Sequence, residues 1–195
     1  MREVTIKAYQ YDELSDKAKE KAREWFAGGI DGSDYDAVTE DAKAILAVAG
    51  FDGVEVFWSG FGSAGDGASF KGTWRASDFD TDWRRMVGES DRGYFPLLIR
   101  LEEFAKQWPE FSAAVRCVGR YSHSRTMHVE TGEYADQSNE SMQFCDWCRE
   151  WANAIYRKLS AENDYLYSTE NMEEGIRANE YAFREDGRRF PEGDQ

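Results

Sequence analysis

Two histidines, His123 and His128, and the pair Cys145-Asp146-Trp147-Cys148 are the side chains of this chain with the most direct claim to chemistry. Imidazole changes charge near neutral pH, so a general acid–base mechanism would turn first to these two residues. Cys145 and Cys148 have the spacing of a metal or redox pair, and with both histidines they complete a four-ligand zinc set on paper. The flanking pattern argues for packing instead. Both cysteines continue the apolar stripe of Met142, Ala152 and Ile155 along a helix, where a free cysteine behaves as a small hydrophobe. The expectation is therefore no metal, no cofactor and no catalytic residue. His123 reads as a turn residue and His128 as a strand residue; Thr126, His128 and Glu130 share one strand face, and Arg116, Val118 and Arg120 share a face of the neighbouring strand. Arg120, His123 and His128 are thus candidates for a polar patch around one hairpin.

Phe57 to Phe70 interleaves four glycines with aromatics, serines and Asp66, and contains G-x-G-x-x-G at Gly60, Gly62 and Gly65. A dinucleotide loop must close a strand and open a helix, so that the helix N-terminus meets the pyrophosphate. Here Ala68 to Trp74 reads as a strand, no lysine-serine ending follows, and Ser59-Gly60-Phe61 lacks the elbow pattern of serine hydrolases. Trp58, Ser59, Phe61, Ser63 and Asp66 remain as candidates for contact with a partner or ligand, with a purely structural turn as the competing reading.

The elements that must position these residues follow from periodicity. Val4, Ile6 and Ala8 alternate with polar residues as in a half-buried strand. Ser15 caps a helix from Lys17 to Phe26 that Gly28-Gly29 stops, and a second helix runs from about Tyr35 to Ala49. Val54–Trp58 and Ser69–Trp74 form a wide hairpin around the glycine loop. Pro96 to Trp108 carries apolar residues at helical spacing, with the proline in its first turn. Ala113–Tyr121 and Thr126–Glu130 form a second hairpin. A long helix from about Asn139 to Leu159 is apolar on most sides, and a last helix from about Thr169 to Tyr181 has Thr169 as its cap. This order lacks the regular alternation of parallel sheets, which predicts an α+β fold: an antiparallel sheet of two hairpins plus an N-terminal strand, packed against about five helices, one of them long and central. A single domain over residues 1–190 and a loose acidic tail at 191–195 are expected.

The chain has 195 residues, 41% of them hydrophobic and 15% aromatic, which suits a packed core. Its formal charge of -14 argues against direct contact with a nucleic-acid backbone. An acidic surface instead suits a heavily solvated protein, or one that occupies the basic groove of a nucleic-acid-handling protein. Three cysteines, no leader segment and no long apolar run lead to the expectation of a reducing, cytoplasmic location without a membrane span.

Tyr11-Asp12-Glu13-Leu14-Ser15-Asp16-Lys17-Ala18, Phe57-Trp58-Ser59-Gly60-Phe61 with Gly65-Asp66-Gly67-Ala68-Ser69-Phe70, and Ile176-Arg177-Ala178-Asn179-Glu180-Tyr181 with Glu185-Asp186-Gly187 together resemble a family of small acidic phage and prophage proteins. Its members are described as hypothetical or as an antitoxin of a toxin–antitoxin stability system. The resemblance transfers no catalytic residue. It implies a non-enzymatic, anti-CRISPR-like or antitoxin-like protein that inhibits a host defence protein by stoichiometric binding. Two alternatives stand beside it: a sponge that sequesters a signalling nucleotide in a pocket near the glycine loop, and a small hydrolase built on the histidine hairpin.

Overall fold

Four strands, β1 (Phe51–Ser59), β2 (Gly67–Arg75), β3 (Ser112–Cys117) and β4 (Met127–Thr131), form one antiparallel sheet in the order β1-β2-β3-β4. Among the described residues six α-helices accompany it: α1 (Asp16–Ala27), α2 (Asp36–Val48), α3 (Trp83–Met86), α4 (Phe95–Gln107), α5 (Asn139–Leu166) and α6 (Thr169–Ala178). The computed structural model describes residues 7–118, 121–131 and 138–190. The architecture is α+β, as the order of elements predicts. The chain divides into two compact units, one made of Met1–Asp34 with Ala161–Gln195, the other of Tyr35–Ser160.

The second unit holds the sheet. Strand residues alternate between faces, and the inner face carries Phe51, Phe70, Trp74, Ala113, Val115 and Met127, all buried. Trp74 is its centre: the ring lies 4.9 Å from Phe144 of α5 and 5.9 Å from Phe104 of α4, and its Nε1 donates to the Ala49 carbonyl at 2.6 Å. Phe111 packs edge-on against Phe104 at 4.9 Å. The indole N–H is thereby satisfied inside an otherwise apolar layer, which is what permits so large a ring at zero exposure. A register shift between Asp52 and Glu55 marks a bulge at the start of β1. The outer face carries Glu55, Phe57, Lys71, Thr73, Arg116, His128 and Glu130, and the register sets Arg116 opposite His128.

The first unit has its own core of Tyr11, Leu14, Ala18, Ala22, Ile176 and Phe183. Ser15 caps α1, its hydroxyl accepting from Ala18 N at 3.4 Å. Buried Tyr11 is held from both sides: Arg23 donates to its hydroxyl at 2.8 Å, and the hydroxyl donates to Glu173 at 2.9 Å.

Several boundaries differ from the periodicity reading. The long helix continues past Leu159 to Leu166, because Ala161-Glu162-Asn163-Asp164 ends the apolar stripe without breaking the backbone pattern. Ser168, not Thr169, caps α6, accepting from Asn171 N at 3.2 Å. β3 ends at Cys117, and the connection to β4 is closed by Val118 N donating to the Thr126 carbonyl at 2.8 Å. Of the expected N-terminal strand, Val4 and Ile6 lie outside the described residues, as do Arg120 and the tail 191–195; Tyr9 forms an isolated bridge with Phe183.

Candidate functional site

The glycine loop is folded onto its own side chains. Asp66 Oδ2 accepts from the backbone N–H of Gly62 at 2.8 Å and of Ser63 at 2.6 Å, so the carboxylate is the inner cap of the turn. Trp58 and Phe61 stack on each other at 5.3 Å, Phe61 stacks on Tyr35 at 5.5 Å and on Tyr156 at 5.8 Å, and Trp58 meets Tyr35 in a tilted contact at 4.7 Å. Tyr156 Oη donates to the Gly60 carbonyl at 3.1 Å, and burial followed by the nearby Asp66 raises its pKa. Five sequence-singled residues thus meet in one place, and three of them spend their groups on the loop itself: Trp58 and Phe61 in the stack, Asp66 in the turn.

The histidine hairpin docks against the end of this loop. Ser59 Oγ donates to the Ser122 carbonyl at 3.3 Å. A Cβ on Gly67 would lie 2.9 Å from the His123 ring, so the glycine permits that ring to sit directly on the backbone. His123 Nδ1 accepts from Arg125 N at 3.1 Å, which leaves Nε2 as the protonated nitrogen of the neutral ring. His128 is exposed on β4, beside the Arg116–Glu130 ion pair of 3.1 Å. It lines a shallow pocket with Cys145 and Asp146. Cys148 is buried, and desolvation raises both cysteine pKa values. Among the described residues no three His, Cys, Asp or Glu side chains gather as a metal ion would require.

Two recesses go beyond the sequence reading. On the outer sheet face, an open recess of about 600 Å³ is lined by Phe57, Ser69, Lys71, Thr73, Arg116 and Tyr121 among others. Lys71 is paired with Glu55 at 2.9 Å and sits 5.8 Å above the Phe57 ring. In the first unit, a cleft of about 590 Å³ is lined by Trp25, Phe26, Ile30, Leu166 and Tyr181, with Glu24, Asp34 and Asn171 at its walls. Trp25 is 39% exposed although it packs edge-on against Tyr181 at 5.0 Å and Phe183 at 5.7 Å. Tyr165 and Tyr167 expose about half of their surface on the same unit. The signal for the cleft lay in Gly28-Gly29, which end α1 beside its aromatic pair.

The same unit carries ionised carboxylates. The Arg177 guanidinium holds the Asp12 carboxyl below its usual range, and the Tyr11 hydroxyl with Arg177 does the same for Glu173. Glu170 and Glu174 stand beside them on α6. No helix among the described residues is long and apolar enough to cross a membrane.

A family model described as a domain of unknown function (DUF8835) matches residues 35–169. Its start coincides with the first residue of the second unit. No curated protein and no solved structure matches the chain.

Proposed function

Since the chain belongs to the DUF8835 family of domains of unknown function, whose description supplies no activity, we propose from its own surfaces that it is a non-enzymatic, phage-encoded anti-defence protein. It inhibits a host defence protein inside the bacterial cell by stoichiometric binding. The observation that carries this reading is the cleft of the first unit, where Trp25, Phe26, Ile30 and Tyr181 share the lining with the acidic residues Glu24 and Asp34. Tryptophan and tyrosine dominate the energetics of protein interfaces because they desolvate a large area at small entropic cost. Glu24 and Asp34 in the lining favour a basic segment, and the formal charge of -14 attracts such a partner over distance. The occupant of the cleft is therefore a basic segment of the defence protein that carries an apolar anchor, of the kind that otherwise faces nucleic acid. Most of the cleft lies outside residues 35–169, so the contact is set by the part of the chain that flanks the family domain.

Retrieval of the partner from a host lysate with the tagged protein tests this. The partner is a nucleic-acid-handling protein whose retrieval falls when salt rises from about 0.05 to about 0.5 M, as screening requires. Glu24→Lys weakens retrieval in the same way. A complex indifferent to both salt and Glu24→Lys would remove the reading.

A further inference from the structure

We infer that the outer face of the sheet is a binding site for a mononucleotide, its phosphate held by Lys71 and Arg116 and its base placed against Phe57 and Tyr121. The site is on the second unit and independent of the aromatic cleft. Lys71 precedes Gly72 and Arg116 follows Val115 in a register that pairs Gly72 with Val115, so the two cations stand side by side at the end of the β2–β3 ladder. The two cations stand on the outer face of a strongly acidic protein. Like charges placed directly across strands are unfavourable without an anion between them. Here each cation leans outward to one exposed carboxylate, Lys71 to Glu55 and Arg116 to Glu130. Exposed pairs of this kind contribute little, so a phosphate can replace the carboxylates, with the guanidinium offering a two-pronged contact.

A second observation points into the same recess. Ser69 is one of the residues around the recess; it is fully buried, and among the described residues its hydroxyl has no hydrogen-bond partner. A buried hydroxyl without a partner is costly, and a ribose or phosphate oxygen would satisfy it. Tyr121, 64% exposed, supplies an exposed ring at the rim, and rings on an open sheet face are a recurrent platform for bases. The β1 bulge at Asp52 and Gly53 forms the far wall.

Calorimetric titration of the purified full chain with AMP, adenosine, inorganic phosphate and a short single-stranded oligonucleotide tests the inference. AMP binds saturably and raises the melting temperature, with adenosine and phosphate each at least about tenfold weaker. Lys71→Met with Arg116→Met lowers AMP affinity at least about tenfold and spares adenosine, whereas Ser69→Ala lowers AMP affinity a few fold without lowering the melting temperature of the free protein. Tyr121→Ala weakens both AMP and adenosine, and stands as the second variant should the double substitution misfold. No saturation by about 5 mM AMP, or affinity unchanged in the double variant, overturns the site. Tighter binding of the oligonucleotide than of AMP would overturn it in favour of a nucleic-acid strand.

Discussion

The Asp66 carboxylate accepts the Ser63 backbone N–H at 2.6 Å, and this bond holds the glycine loop in a closed turn. The same oxygen takes the N–H of Gly62. Asp66→Ala leaves two backbone donors without their acceptor and is expected to cost about 1–2 kcal/mol of stability, read by urea unfolding. Asp66→Asn, which keeps one acceptor oxygen, costs less. Retrieval of the partner is unchanged in both, because the loop's carboxylate serves the loop.

Glu102 sets an acid limit to stability. Lys106, the Trp83 indole N–H at 2.9 Å and Arg84 together hold its pKa at about 2. A carboxyl depressed in the folded state contributes stability that is present above its unfolded pKa near 4.5 and lost as pH falls toward about 2. With solvent screening at the rim of this site, the contribution is about 1–2 kcal/mol. Glu102→Gln therefore lowers the melting temperature at pH 7 and narrows the gap to the native protein between about pH 4.5 and pH 2. A constant gap across that range would contradict the assignment.

How far the sequence carried can be judged from particular elements. β2, α2 and α4 follow the pattern of their apolar residues, because each buries a face in the sheet core, whereas β1 buries only Phe51. The end of α5 was not legible, since polar Glu162 to Asp164 end the stripe but not the hydrogen-bonded backbone. Trp58, Phe61 and Asp66 were visible as a group, yet their partners Tyr35 and Tyr156 were not; stacking between residues so distant in the chain leaves no local signature. The Lys71–Arg116 neighbourhood depends on the β2–β3 register, a long-range pairing that crosses α3 and α4. Arg120 lies outside the described residues.

Cys148 separates packing from redox chemistry. Its thiol is buried in the core, and desolvation pushes its pKa well above the usual value. A thiol-specific disulfide reagent at pH 8 is expected to leave Cys148 unmodified in the native protein and to react only on unfolding. Cys148→Ser places an unpartnered hydroxyl there and costs about 1–3 kcal/mol, more than Cys148→Ala at the same position.

Gly187 closes the turn Glu185-Asp186-Gly187 in a backbone conformation that a larger residue resists. Its φ is +85°, and a Cβ there would lie 2.1 Å from the Ala18 carbonyl oxygen. Gly187→Ala is expected to destabilise by at least about 2 kcal/mol in thermal or urea unfolding. Gly62→Ala, where an added Cβ meets nothing within 4 Å, is the control and stays within about 0.5 kcal/mol of the native protein.

The most direct measurement is a titration of the retrieved defence protein with the purified chain, following both heat of binding and loss of the partner's activity. Inhibition is complete at one equivalent, and Trp25→Ala or Glu24→Lys lowers affinity by about tenfold or more while the melting temperature of Glu24→Lys stays native. Inactivation by a small fraction of an equivalent, progressing with time, would reveal turnover and contradict a stoichiometric binder.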